Sequence, residues 1–163
     1  LCMGEHLGSV QAGEPMDIHV ALNIVKQVAG ALAVAHQQGI FHRDIKPENI
    51  IVNMDNKIKL IDFGIAKFAD TRLTATGIVI GSPNYMSPER WRGEQIDQRT
   101  HLRSIGILLY EMMAGQLVFQ RPTKAELAKA LFEETPEDIP FDKNADIKKD
   151  VGVKLQNIAF IYI

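Results

Sequence analysis

Between Asp17 and Gln38 the apolar positions Ile18, Ala21, Leu22, Val25, Val28, Ala29, Leu32 and Ala35 recur at steps of three and four, the spacing of one face of a helix. Asp17 is placed to cap its start, accepting from amides that have no partner in the first turn, and Gly39 supplies the left-handed stop. The pattern then shortens. Two apolar runs, 49–53 and 57–61, flank Met54-Asp55-Asn56 and predict a β-hairpin. Residues 62–100 show little periodicity and many prolines and glycines, which predicts one long loop; loops of that length inside a compact domain are commonly functional. Ser104 to Ala114 is apolar nearly all round, as expected of a buried central helix ending at Gly115. A short amphipathic helix is predicted over 125–134 and another over 147–161. The first 14 residues are Gly-rich and poorly patterned, and are read as a strand remnant and a loop.

Composition narrows the classes. At 163 residues, with 46% hydrophobic and 23% charged side chains, the chain has the balance of one globular domain. A net charge of −2 gives no electrostatic reason to expect nucleic acid or an anionic membrane as a partner. No uninterrupted apolar run approaches a membrane span, and the N-terminus has neither the charged start nor the apolar core of a signal peptide. The single cysteine, Cys2, has no second cysteine for a disulfide or a zinc site, so a reducing, cytoplasmic location is expected.

The chemistry concentrates in Phe41-His42-Arg43-Asp44-Ile45-Lys46-Pro47-Glu48-Asn49, between the first helix and the hairpin. Asp62-Phe63-Gly64 follows the second strand, Asp62 lying 18 residues beyond Asp44. A hairpin whose ends are close brings Asp44, Asn49 and Asp62 to one edge. Phosphoryl transfer needs such a set: a carboxylate to orient a hydroxyl, and oxygen ligands to hold Mg²⁺ against phosphates. The other histidines, His6, His19 and His36, lack metal-ligand spacing and look like surface or helix-face residues. His42 is expected to be a core histidine bonded to backbone.

These two motifs together resemble the catalytic loop and the metal-binding loop of protein kinases. Gly81-Ser82-Pro83-Asn84-Tyr85-Met86-Ser87-Pro88-Glu89 resembles the end of the activation segment, with Ser87 where alanine is commoner. The segment 106–112 resembles the buried helix of the kinase C-terminal lobe, and the likeness is nearest to eukaryotic-like serine/threonine kinases of bacteria. What the resemblance implies is a mainly α fold with a small β-hairpin, the C-terminal lobe of a protein kinase domain. Residues 1–163 would be a partial domain, with 1–8 a hinge remnant and 62–89 the activation segment. ATP and Mg²⁺ would be the cofactors, a protein the substrate, and a missing N-terminal lobe the partner. The isolated fragment would be inactive, because the Gly-rich loop and the strand lysine of that lobe are not in the sequence.

Residue by residue, the resemblance makes Asp44 the group that orients or deprotonates the substrate hydroxyl. Lys46 would reach the γ-phosphate and mark serine/threonine specificity. Asn49 and Asp62 would be the Mg²⁺ ligands. Arg43 would pair with a phosphorylated activation loop, with Thr71, Thr74 and Thr76 as acceptors and the latter two better placed. Ser82 would help tie the docking loop to Asp44 and Lys46. Three positions depart from the family: His101 stands where an aspartate braces the catalytic-loop backbone, Arg103 where an aromatic is usual, and Val118 where proline is usual. A neutral imidazole can accept only one amide, so a buried amide should be underserved there. The rival readings are a pseudokinase acting as a binding module and, against Lys46 and the docking segment, a small-molecule phosphotransferase.

Overall fold

The computed structural model describes residues 4–11, 13–63, 83–92, 94 and 98–137. The chain opens with strand β1 (Glu5–His6) and helix α1 (Leu7–Gln11). Helix α2 (Ile18–Gln37) follows, and then β2 (Ile50–Val52) and β3 (Ile58–Leu60). Three helices complete it: α3 (Pro88–Trp91), α4 (Gln98–Ala114) and α5 (Lys124–Glu133). The strands form one antiparallel sheet in the order β1-β2-β3, with Glu5 opposite Val52 and Ile50 opposite Leu60.

Asp17 caps α2 through its carboxylate, which accepts from the amides of His19 (2.9 Å) and Val20 (3.1 Å). Gly39, at φ +70°, ends it. The buried stripe of α2 is Ile18, Ala21, Ile24, Val28, Leu32 and Ala35, so Ile24 faces the core and Ala29 does not. This stripe packs on α4, whose Ile107, Leu108, Met112 and Met113 are almost fully buried. By length and composition α2 would pass as a membrane span, with a mean hydropathy of 1.6. Its apolar face is instead part of this core.

Side chains of α2 fix the hairpin to that helix. Gln27 of α2 donates to the carbonyl of Asn56 (2.7 Å) and accepts from the amide of Ile58 (3.2 Å), clamping the turn. The Asn53 carboxamide closes that turn by accepting from Asp55 and Lys57. At the far end of α4, Gly115 (φ +69°) lies so near Pro15 that a Cβ would come within 2.7 Å of its nitrogen. Only glycine fits this crossing.

Three sequence expectations need correction. The N-terminal segment read as strand and loop contains α1, and Leu7 is fully buried beneath the hairpin strands. The stretch expected to be a loop up to Thr100 contains a 3₁₀ turn at Pro83–Tyr85, helix α3 and the first turn of α4. Helix α4 therefore starts at Gln98 and not at Ser104; its first turn is too polar for periodicity to reveal, yet Thr100 and His101 are buried. The helix expected over 147–161 lies outside the described residues.

Candidate active site

Residues 41–49 link α2 to β2 and end in a 3₁₀ turn over Pro47–Asn49. Proline at the first position of that turn has no amide to satisfy, and the Asn49 amide closes it on the Lys46 carbonyl (3.0 Å). The turn directs Asn49 back at Asp44. Its Nδ2 donates to the Asp44 carbonyl (2.7 Å) and to the Asp44 carboxylate (3.2 Å). The Lys46 ammonium lies 3.2 Å from the same carboxylate oxygen. Asp44, Lys46 and Asn49 thus form one cluster.

Asp62 is set beside this cluster by the sheet. The amide of Ile61 donates to the Asn49 carbonyl (3.0 Å), extending the β2–β3 ladder by one rung. Asp62 then turns out of the sheet at φ +57°, a left-handed conformation that aspartate tolerates better than most residues, and it is exposed. Arg43, immediately before Asp44, is also left-handed, at φ +67°. Left-handed residues of this kind persist where their surroundings hold them in place.

Two histidines and an arginine hold the loop. His42 is fully buried; its Nε2 donates to the Ile61 carbonyl (2.9 Å) and its Nδ1 accepts from the Asp44 amide (3.4 Å). Burial pushes its pKa down, against the opposing pull of the Ile61 carbonyl and of Asp44 and Asp62. His101 of α4 accepts the Arg43 amide on Nε2 (3.2 Å). Arg90 of α3 donates to the Arg43 carbonyl, so that residue is held at both its N–H and its C=O. Burial is also the main cause that lowers the Arg90 pKa, with Asp44 pulling the other way.

The segment around α3 is tied to α4. Tyr85 donates its hydroxyl to Glu111, and burial is the main cause that raises the pKa of both groups. Ser104 donates to the Tyr85 carbonyl (3.2 Å), and Thr100 donates to Glu89 (2.7 Å). Arg103 is half-buried and donates to the Leu131 carbonyl at the end of α5 (3.2 Å). Val118 and Phe119 lie in the core.

The residues present fit a hard cation. Asn49 uses its Nδ2 on Asp44, which leaves the carboxamide oxygen as an acceptor, and Asp62 adds an exposed carboxylate. Among the described residues no group of three or more His, Cys, Asp or Glu gathers to cage a metal. One carboxylate and one carbonyl oxygen suit Mg²⁺, which completes its shell with water and phosphate oxygens.

Of the sequence-predicted residues, the structure brings Asp44, Lys46 and Asn49 together, sets Asp62 at the adjoining strand end, and places Arg43 just ahead of Asp44, held by His101 and Arg90. Gly64, Thr71, Thr74, Thr76 and Ser82 lie outside the described residues. Sequence reasoning passed over Arg90, Thr100 and His36. His36, expected as a helix-face residue, is half-buried with its Nε2 2.8 Å from Nδ1 of His101. One signal was available: His36 directly follows Ala35 of the buried stripe, one turn before the helix stop.

Comparison with known proteins agrees with this geometry. The family model described as the protein kinase domain matches residues 1–159. The serine/threonine-protein kinase pkn3 of Myxococcus xanthus is 42% identical over 144 residues, covering 82% of this chain and 26% of the relative. PknA of Corynebacterium glutamicum is 35% identical over 157 residues, 94% of this chain and 33% of the relative. PknB of Mycobacterium leprae is 37% identical over 157 residues, 91% and 25% respectively. The chain thus spans about a quarter to a third of the length of these relatives. With the His-Arg-Asp loop, the Asp-Phe beyond β3 and this match along nearly its whole length, the chain belongs to the protein kinase domain family.

Proposed function

We propose that this chain is the C-terminal lobe of a serine/threonine protein kinase domain, acting with an N-terminal lobe that carries the Gly-rich loop and the strand lysine. One observation carries this reading. The Asp44 carboxylate lies 3.2 Å from both the Lys46 ammonium and the Asn49 carboxamide, at the strand end that presents Asp62. The names of the bacterial relatives support protein serine and threonine hydroxyls as the acceptors.

In this reading Asp44 accepts a hydrogen bond from the substrate hydroxyl and aims its oxygen at the γ-phosphate of ATP. Lys46 offsets charge on that phosphate as the hydroxyl oxygen bonds to the γ-phosphorus, the bond to the bridging oxygen breaks to release ADP, and the hydroxyl proton passes toward Asp44. Asn49, through its carboxamide oxygen, and Asp62 would hold Mg²⁺, which when bound neutralises phosphate charge. The protein's part is positioning and electrostatics, the bulk of catalysis in this reaction class. Arg43 would meet a phosphate on Thr74 or Thr76, a group carrying about −1.5 to −2 charge. The 83–92 segment, tied to α4, would serve as the peptide platform. The single cysteine favours a reducing, cytoplasmic setting.

The test is a radiolabel transfer assay with Mg·ATP in a protein joining this chain to its N-terminal lobe, and with residues 1–163 alone. Asp44→Asn should cut transfer by at least about 100-fold with an unchanged melting temperature. Asp62→Ala should weaken Mg²⁺-dependent nucleotide binding as well. Residues 1–163 alone should transfer nothing. Near wild-type turnover by Asp44→Asn would overturn the assignment. Absence of transfer by the joined protein would favour the rival reading, a pseudokinase that docks partners, which the His101 departure supports.

A further inference from the structure

We propose that His36 is a positioning residue: by accepting a hydrogen bond from His101 it fixes the tautomer with which His101 holds the Arg43 peptide, and through it Asp44. The reading that Asp44 is catalytic is the one given above, and this inference rests on it for its consequence to activity.

The direction of that hydrogen bond is set by where protons can sit. Nε2 of His101 faces the Arg43 amide at 3.2 Å, so that nitrogen carries no hydrogen. The ring is 2% exposed and the Arg43 and Arg90 guanidinium groups lie near it, so it stays neutral. A neutral ring with a bare Nε2 carries its hydrogen on Nδ1. The group facing Nδ1 is Nε2 of His36, at 2.8 Å. His36 therefore accepts there and keeps its own hydrogen on Nδ1. The reverse direction would leave both nitrogens of His101 as acceptors, which only an imidazolate could satisfy.

The rings are also packed together. Those of His36 and His101 lie edge to edge and nearly coplanar, 4.8 Å apart at 23°, and Phe41 lies 5.9 Å from His101 at 17°. Packing restrains ring orientation, but it cannot choose between the two tautomers. The choice matters because of what Nε2 holds: Arg43 sits at φ +67°, pinned at its amide by His101 and at its carbonyl by Arg90. Were His101 to carry its hydrogen on Nε2, it would point a donor at a donor, and the Arg43 peptide would lose one of its two holds. A transition metal between the two imidazoles is the other use of such a pair, and the Arg43 contact argues against it. Coordination through Nδ1 would force the hydrogen onto Nε2, toward that amide.

Two substitutions separate this role from packing. His36→Gln keeps an acceptor and loses the ring; His36→Phe keeps the ring and loses the acceptor. In residues 1–163 labelled with ¹⁵N, imidazole shifts should show His101 protonated on Nδ1, and the Arg43 amide should exchange slowly. His36→Phe should move the hydrogen to Nε2 and speed Arg43 exchange at least tenfold, while His36→Gln should leave both unchanged. Three results would overturn the proposal: a wild-type His101 protonated on Nε2, a His36→Phe protein with Arg43 exchange unchanged, or a His36→Gln protein that loses as much as His36→Phe. The wild-type tautomer needs no variant, so a substitution that fails to fold leaves the test intact. None of these readouts uses phosphate transfer, so they stand or fall apart from the kinase reading.

Discussion

The 41–49 loop is anchored on two sides, each time by a buried histidine, and the two anchors use opposite chemistry. On the sheet side, His42 donates from Nε2 to the Ile61 carbonyl and accepts on Nδ1 from Asp44. On the helix side, His101 accepts on Nε2 from Arg43 and donates from Nδ1 to His36. The first ring meets two backbone groups, so its tautomer is fixed by groups the fold cannot lose. The second meets one backbone group and one side chain, so its tautomer depends on residue 36. Their electrostatics differ as well. His42 has Asp44 and Asp62 nearby, which partly offset its burial. Burial lowers the pKa of His101 to about 4, and among the described residues its electrostatic neighbours, His36, His42, Arg43 and Arg90, push the same way. The sheet-side anchor is built into the fold; the helix-side anchor hangs on a side chain and on pH.

Replacing each anchor by leucine should separate the two most widely. His42→Leu removes the partner of two backbone groups, the Ile61 carbonyl and the Asp44 amide, whereas His101→Leu removes that of one backbone group, the Arg43 amide, and of the half-buried His36 ring, which keeps access to water. At about 1–3 kcal/mol for each backbone group that loses its partner, His42→Leu should cost about 2–6 kcal/mol and His101→Leu about 1–3. Urea unfolding at neutral pH measures both. Equal losses would mean that the two anchors are energetically alike, and the contrast would fail.

Acid should weaken the helix-side anchor more than the sheet-side one. The folded-state pKa of His101 lies below the ordinary 6.5, so as pH falls the unfolded chain takes up that proton first. Its contribution to stability is complete above about pH 6.5 and is lost toward about pH 4. At about 1.36 kcal/mol per pH unit this amounts to roughly 3 kcal/mol. The groups facing the ring are His36 of α2, His42 and Arg43 of the loop, and Arg90 of α3. His42 shifts in the same direction, so the measurement should be a difference. His101→Asn cannot titrate, and it should lose less stability than wild type between pH 7 and pH 4.5. Parallel losses in the two proteins would place the acid sensitivity elsewhere.

Much of this site was legible in the sequence, because its parts are local. Asp44, Lys46 and Asn49 meet within six residues, and a 3₁₀ turn started by Pro47 is enough to fold them together. Asp62 joined them through the hairpin, whose period and turn residues were plain. The long-range anchors were less visible. The Arg43–Arg90 contact joins residues 47 apart, and the His36–His101 contact joins residues 65 apart. No period or local spacing encodes such a meeting; it exists because α2 packs on α4 in one register. The start of α4 was missed for a related reason. Thr100 and His101 are polar side chains buried against partners, Glu89 for one and His36 and Arg43 for the other, so hydropathy could not mark them as core.

The smallest predicted effect tests the helix-side anchor in the constructive direction. His101→Asp places a carboxylate where a neutral ring now accepts one amide. Burying a charge is ordinarily unfavourable, and a carboxylate with a single amide would not repay its lost hydration. The surroundings here differ from that ordinary case. Among the described residues each electrostatic influence on His101 lowers its pKa: His36, His42, Arg43 and Arg90 all disfavour positive charge at this point. The same potential favours a negative one. A carboxylate has lone pairs for the Arg43 amide and for a ring N–H of His36 without any choice of tautomer at residue 101. Against this stands the lost packing with Phe41 and His36 and the smaller side chain. The net expectation is a gain of about 1 kcal/mol, the worth of one additional hydrogen bond, which is a rise of about 2–5 °C in Tm for a domain of this size. Paired thermal melts at pH 7 check it. The substitution should also remove the dependence on residue 36's tautomer, since a ring N–H of His36 or the carboxamide N–H of His36→Gln can each donate to the carboxylate. A lowered Tm for His101→Asp would mean that the aromatic packing, and not the hydrogen bond to Arg43, is what His101 chiefly provides.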